Sequence, residues 1–455
     1  MDNFWKRTPA LYLALLLMIG IGSAFFLPLL VFISIFPKRL FWVVALIGFL
    51  YVKLLYPSFP LEEKGSAQFH IEEVKRYAGP IHNSFVYSGK IKMASHPSFP
   101  CKIYLHPNKK PLPANRDYFF KEGILTKIQT GHYLFKPKSP WQPLPNTSSL
   151  AEWRFQKKES VRRSIHSRFK NKKVAILLTG LATGTLESRF LAFHFSAVGL
   201  SHLLAISGFH FALLSFFLAI PLKRILPEKV FALTLIVLLS SYFFYMGGAP
   251  SISRAWIGIL IYLVGMLFHL RPHPVNTLGV ALFCALAFDP LILTNVGFQL
   301  TFSATLGILL FYNPLEKKLT ALLPKRPYDA LLKMSRLDQC GYLLCTYLRK
   351  ALALQGSVLT FTLPLILFHF ETYPLLSLIY NLFYPLFFSI LLALFLLHLD
   401  FLTAPFASFL ITLIEGAPKR LLFQLGVTEA VAGGVVLIVA VLIRLFALRR
   451  IKIMK

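Results

Sequence analysis

The chain has 455 residues, 56% hydrophobic and 15% aromatic, and its 48 Lys and Arg outnumber 19 Asp and Glu to leave a formal charge of +29. Apolar runs of about 20 residues recur along most of it, each long enough to cross roughly 30 Å of hydrocarbon as a helix. This excludes a soluble globular protein and predicts a polytopic α-helical membrane protein. The four cysteines, Cys101, Cys284, Cys340 and Cys345, are dispersed without C-x-x-C spacing and suggest neither a disulfide framework nor a metal site.

In chain order, residues 1–56 hold apolar runs at Leu11–Phe36 and Phe41–Tyr56. The first reads as one tilted helix or two short ones. It is too long for a signal peptide, and no small-residue cleavage site follows it. Residues 57–173 are too polar to span lipid and form an insert with 22 Lys and Arg against 8 Asp and Glu, a net +14. Ser84–Met93, Cys101–Leu105, Tyr118–Gln129 and Tyr133–Lys136 cluster or alternate Phe, Tyr, Ile and Val between Gly, Pro and Asn. That pattern predicts a small OB-like barrel or meander.

Basic residues interleave there with Phe85, Tyr87, Tyr104, Tyr118, Phe119, Tyr133 and Phe135. A basic groove with aromatic platforms is how single-strand-binding barrels hold nucleic acid; the alternative is a solvated β-domain whose aromatics form its core. Lys90, Lys92, Lys102, Lys127 and Lys136 are the candidate contacts on the barrel. Residues 151–173 carry nine basic residues among 23 and place Trp153, Phe155, Val161, Ile165 and Phe169 roughly on one helical face. They predict a basic amphipathic helix, suited to an anionic membrane surface and to phosphate contact. Its candidate contacts are Arg154, Lys157, Lys158, Arg162, Arg163 and Arg168.

The remaining apolar segments fall near 200–221, 230–246, 252–270, 274–289, 296–312, 351–369, 375–398, 402–416 and 428–447. Threading them puts Lys38/Arg39, Lys223/Arg224/Lys229, Arg271, the Lys317–Lys350 loop and the Arg449–Lys455 tail on one side, with Lys419/Arg420 the exception. The basic side is then cytoplasmic and the insert extracytoplasmic. Val174–Val198, with Glu187, Arg189 and His194, must then be re-entrant or interfacial.

Gly199–Phe211, GLSHLLAISGFHF, sets two His, two Ser and two Gly at the start of a spanning segment. Such groups are costly in hydrocarbon, so they mark a functional site. Candidates for a polar path are Ser201, His202, Ser207, Gly208 and His210. Arg254 lies near an outer helix end, where snorkelling and phosphate contact are equal alternatives. Asp289, Gln299, Thr301 and Asn381 complete the set.

These residues resemble a family. Leu177 to Gly180, Gly199–Phe211, PSISRA at Pro250–Ala255, Arg271-Pro272 with Asn276, Asp289-Pro290 with Gly297–Leu300, and Pro364, Asn381 and Pro385 are similar in order and spacing to the membrane domain of the ComEC competence proteins. The resemblance covers about 175–400 and, more loosely, the amino-terminal region. It implies an inner-membrane channel importing single-stranded transforming DNA to the cytoplasm. The division implied is membrane helices over 1–56, an extracytoplasmic basic barrel over 57–150, an amphipathic and re-entrant segment over 151–198, a channel domain over 199–447 and a cytoplasmic tail over 448–455.

Many family members continue into a metallo-β-lactamase-like domain; this sequence ends at Lys455 and carries no H-x-H-x-D-H motif, so the expectation is a form without it. No G-x-x-x-x-G-K-[ST] loop occurs either. The expectation is therefore a non-enzyme without catalytic residues, metal or cofactor. Its expected partners are single-stranded DNA, the lipid bilayer, a periplasmic DNA receptor, a cytoplasmic ATPase or DNA-binding protein, and a separate nuclease. Three other readings are weaker. A hydrolase built on Ser207, His210 and His202 lacks a nearby carboxylate. A transporter of another anionic solute leaves the aromatic-rich insert less well explained. The third is a structural relic of a DNA channel.

Overall fold

The computed structural model describes residues 8–36, 42–56, 60–78, 83–94, 97–105, 111–129, 132–145, 147, 149–204, 208–418 and 422–424. The expected 428–447 helix, Lys38/Arg39, Lys419/Arg420, the tail and Ser207 lie outside the described residues. Helix α1 (Pro9–Ser23) ends before Pro28, and a 3₁₀ segment (Leu27–Ile35) folds back so that Phe36 meets Tyr12 at 5.2 Å. The first apolar run is thus one helix and a 3₁₀ return. Helix α2 (Trp42–Leu55) packs on α1 through small residues: a Cβ on Gly20 would lie 2.0 Å from the Ala45 carbonyl oxygen. Only a glycine lets the two backbones approach so closely.

Five strands then close a barrel: β1 (Glu62–Ala78), β2 (Asn83–Met93), β3 (Phe99–Tyr104), β4 (Tyr118–Gln129) and β5 (His132–Pro137). β1 pairs with both β2 and β4, and β3 with β5 in parallel, so the ring β1-β2-β3-β5-β4 has no free edge. The short β6 (Gln142–Pro143) adds to β4. This is the expected OB-like barrel. The longest strand, β1, is the one the alternation did not reveal. Ala67, Phe69 and Ile71 point inward, then a bulge between Ile71 and Glu73 shifts the phase so that Val74 is the next buried residue.

The barrel interior decides the role of most aromatics. Tyr87, Tyr118, Tyr133 and Phe135 are core residues, and Trp141 meets Phe69, Tyr87, Tyr118 and Phe120 at 5.0–6.4 Å. Tyr104, 47% exposed, presents its ring to solvent. For those four inward residues the core reading holds, because a barrel of this size is filled by its own side chains.

Helix α3 (Ala151–Arg168) leads from the barrel to α4 (Lys172–Thr183) and α5 (Arg189–Ala197). With 12 and 9 residues, α4 and α5 are about 18 and 14 Å long, too short to cross a bilayer. A four-residue helix α6 (Ser201–Leu204) precedes α7 (Gly208–Ile225), α8 (Glu228–Met246), α9 (Pro250–Leu267), α10 (Pro274–Phe288), α11 (Val296–Leu322), α12 (Tyr328–Leu332), α13 (Arg336–Phe370), α14 (Ser377–Leu396) and α15 (Asp400–Glu415). Among the described residues six helices are long and apolar enough to cross a membrane: α7, α8, α9, α11, α13 and α14. A two-stranded ladder pairs β7 (Thr372–Pro374) with β8 (Leu422–Gln424).

The barrel sits on one end of this bundle. Leu291, from a 3₁₀ turn (Pro290–Thr294) between α10 and α11, is fully buried in the barrel core, with Tyr56 and Phe25 packed beside it. Loops 247–249 and 289–295 therefore share the barrel's side, and Lys223, Arg224, Arg271 and Lys317 lie toward the other ends of the same helices. Strict alternation fails at one place. It puts the α14–α15 turn opposite the insert, whereas Arg168 at the end of α3 binds Asp400 in a two-pronged ion pair and lies 5.5 Å from the ring of Phe395.

Truncating the plug tests this docking. Leu291→Ala leaves a void under the barrel worth about 2–4 kcal/mol. The purified protein is expected to melt several degrees lower and to exchange the β1 and β4 amides faster; unchanged exchange would show that Leu291 does not hold the barrel down.

Candidate functional site

The glycine-serine-histidine segment is shaped by backbone constraints. Gly199 has φ +72, the left-handed region, and a Cβ there would lie 2.4 Å from Ser377 Cβ at the start of α14. The residue is glycine for both reasons. This turn ends α5 and leads into α6, where Leu203 and Leu204 are buried while Ser201 and His202 are exposed. His210, in the first turn of α7, is 4% exposed.

Gly208 joins this segment to the PSISRA motif. A Cβ on Gly208 would lie 2.6 Å from Arg254 Nη2, so the missing side chain is the space the guanidinium occupies. Arg254 does not turn outward along α9. Its Nε donates to Thr301 Oγ1 at 3.0 Å, which draws the side chain between α7, α9 and α11. Among the described residues no carboxylate pairs with it. An arginine inside a helix bundle without a counter-ion is costly, and its remaining N–H groups form a fork suited to an anionic oxygen.

Two residues before Thr301 on α11, Gln299 faces a different neighbour. Its Nε2 donates to the Leu293 carbonyl at 2.9 Å, and its Oε1 lies 2.7 Å from His369 Nε2. The Leu293 oxygen can only accept, which fixes the amide orientation and requires His369 Nε2 to carry a hydrogen. His369, near the end of α13, is the member that motif reading missed; the available signal was an ionisable residue closing an apolar run. The structure thus brings Gly208, Arg254 and Thr301 together between α7, α9 and α11, and pairs Gln299 with His369 between α11 and α13. Asp289 instead caps the 3₁₀ turn by accepting from the Leu291 amide at 3.0 Å. Asn381 lies on α14, its Oδ1 buried without a partner among the described residues.

The external basic residues divide into two sets. Lys90, Lys92, Lys102 and Lys136 are exposed and Lys127 is half-buried on the barrel, with Lys90 3.8 Å from Glu72. On α3, four are engaged within the protein. Arg154 donates to the Phe244 and Glu72 carbonyls, and Lys158 is buried against Glu73 at 3.3 Å and the Met246 carbonyl at 3.0 Å. Arg162 holds Glu187 at 2.5 Å and Arg168 holds Asp400. Arg76 of β1 completes the lattice, 3.3 Å from Glu159 and 3.7 Å from Glu187. These pairs fix barrel, α3 and the 184–188 loop together. Lys157 and Arg163 remain on the outer face of α3, exposed to solvent.

With the geometry in view, the comparisons are specific. A family model described as "Competence protein" matches residues 186–451, the region that carries Gly199, Gly208, Arg254, Thr301, Gln299 and His369. The chain belongs to the competence protein family. The curated relative "ComE operon protein 3" of Bacillus subtilis (strain 168) is 26% identical over 284 residues, covering 60% of this chain and 31% of the relative. The chain thus spans about a third of that relative's length. No solved structure matches.

Two measurements check these contacts. Gly199→Ala forces a left-handed alanine against Ser377, costing roughly 1–3 kcal/mol for the backbone alone. A second change, Ser377→Gly, should recover part of the loss in melting temperature; no recovery would dismiss the contact. For the Lys158–Glu73 pair the sign follows from the carboxylate. Burial raises the Glu73 pKa, but Lys75 and Lys158 outweigh it and hold the group below its usual 4.5. Its contribution is therefore present above that value and lost as pH falls through the folded-state pKa. Glu73→Gln should destabilise the protein by about 3 kcal/mol at neutral pH, with the gap to wild type closing in acid. A gap independent of pH would contradict the pairing.

Proposed function

We propose that the chain is an inner-membrane channel that passes single-stranded transforming DNA inward to the cytoplasm. The carrying observation is Arg254: a cation inside the bundle, room made for it by Gly208, steadied by Thr301 and, among the described residues, left without a carboxylate. A phosphate that passes is the counter-ion such a group lacks, and one guanidinium binds it without trapping a long strand. Gln299 and His369 continue the path with hydrogen-bonding groups that carry no fixed positive charge in the neutral imidazole form.

The barrel faces outward in this reading, because the helix ends opposite it carry Lys223, Arg224, Arg271 and Lys317. Its cations and the exposed Tyr104 concentrate and steer the strand by charge and stacking. The chain acts as conduit, not enzyme. A periplasmic DNA receptor delivers the strand, a cytoplasmic ATPase or DNA-binding protein draws it in, and a separate nuclease removes the other strand.

The test is transformation in a strain lacking this chain, complemented with wild type, Arg254→Gln or Arg254→Lys. Losing one charge-assisted contact of about 1.5–3 kcal/mol predicts at least a roughly tenfold fall in DNA reaching the cytoplasm for Arg254→Gln. Surface-bound DNA and membrane abundance should be unchanged, and Arg254→Lys should recover part of the uptake. Normal uptake with Arg254→Gln would sink the reading and move another anionic cargo to the front.

A further inference from the structure

Helix α3 is a strut with two faces. Its first turn is seated in the barrel, where Ala151 belongs to the core and Glu152 accepts from the Ala114 amide at 2.6 Å. Its far end is seated in the helical body, where Ile165 and Phe169 are buried with α4, α14 and α15. Between those anchors the inner face is consumed by Lys158, Arg162 and their carboxylates. The helix is 18 residues, about 27 Å, held rigidly at both ends.

The outer face has a different chemistry. Trp153, 46% exposed, is followed by Lys157, Ser160, Arg163 and Ser167, with Lys170 just past the helix end, all on the solvent side. Within the helix, steps of three to four residues keep Trp153, Lys157, Ser160, Arg163 and Ser167 on one side, and Lys170 follows the last turn. Lys157 and Lys170 make no contact with a described residue, and Arg163 spends only its Nε, on the Glu159 carbonyl at 3.4 Å. Lys157 and Arg163 are thus about 9 Å apart along the axis, with Ser160 between them, Lys170 beyond the last turn and an exposed indole next to the barrel. No acidic side chain lies on this line. An apolar stripe suited to a lipid surface is absent from it too, because Phe155, Ile165 and Phe169 point inward.

We propose that this outer face of α3 is a rail for the single-stranded DNA backbone: Lys157, Arg163 and Lys170 contact phosphates along the strand, Ser160 donates between the first two, and Trp153 stacks the first base leaving the barrel. The inference rests on the single-strand reading above and extends it, giving the strand a fixed course from the barrel to the membrane body.

The experiment uses the full chain in nanodiscs of zwitterionic lipid, with oligonucleotides of about six nucleotides, which a barrel alone accommodates, and of about thirty. Wild type should bind the long strand more tightly. The triple variant Lys157→Gln, Arg163→Gln, Lys170→Gln should lose roughly tenfold in affinity for the long strand. Its slope of log affinity against log salt should fall by about two, since each phosphate contact contributes about 0.7 for single strands. Short-strand binding and the melting temperature should stay as in wild type. Trp153→Ala should weaken long-strand binding without changing the slope. Equal long-strand affinity and slope in wild type and triple variant would overturn the rail, as would an effect confined to flotation with anionic liposomes. Wild type that binds neither length would overturn the channel reading and this inference together, a result recognisable because the variant is not needed to see it.

Discussion

A guanidinium inside a membrane helix bundle is the constraint around which this structure is arranged. Leaving it bare costs several kcal/mol, and the usual remedies are a carboxylate partner or escape along the side chain to the headgroups. Arg254 takes neither. The chain gives it volume by omitting a side chain at Gly208, and one acceptor at Thr301 Oγ1. The cost is then offset fully only when an anion is present, which suits a site that an anion visits and leaves. The Gln299–His369 pair, its amide orientation fixed by the Leu293 carbonyl, adds a second polar contact on α11, toward α13, without an obligatory charge.

The barrel would serve little purpose if it moved freely above that site. Its bottom is closed by Leu291 from the membrane side, and its wall is tied through Arg76 and Glu73 to α3, which is tied in turn through Glu187 and Asp400 to the helical body. Much of α3's basic character is structural in consequence. Cations that look equivalent in composition separate into those neutralised by a carboxylate or a carbonyl and those left for a ligand. The first group sets stiffness, and the second is the set we propose for binding.

Much of this was legible in the sequence, for physical reasons. Long apolar runs must be helices in lipid, so the spanning segments could be read directly. Four barrel strands followed from their alternation. β1 did not, because the bulge after Ile71 breaks the period of two and its Glu and Lys residues look helical or solvated. Arg254, Gln299 and Thr301 stood out as polar groups in spanning helices. Their neighbours did not: Gly208 and Arg254 are 46 positions apart, and His369 meets Gln299 across 70. Contacts at such separations are set by helix packing, which a single sequence does not display. For the same reason Asp289 read as a path residue although its carboxylate caps a turn. Lys158, Arg162 and Arg168 likewise read as candidate DNA contacts, and the fold gives each a carboxylate partner.

Everything turns on whether this chain alone opens a path for a single strand. The direct measurement is entry of a fluorescent oligonucleotide into liposomes that carry the purified protein and enclose a single-strand-binding protein as a trap. A conduit built on the Arg254 site predicts lumenal accumulation of the single strand, suppressed by salt, with the duplex of the same sequence excluded. An impermeable vesicle in which the strand binds outside but never reaches the trap would contradict it.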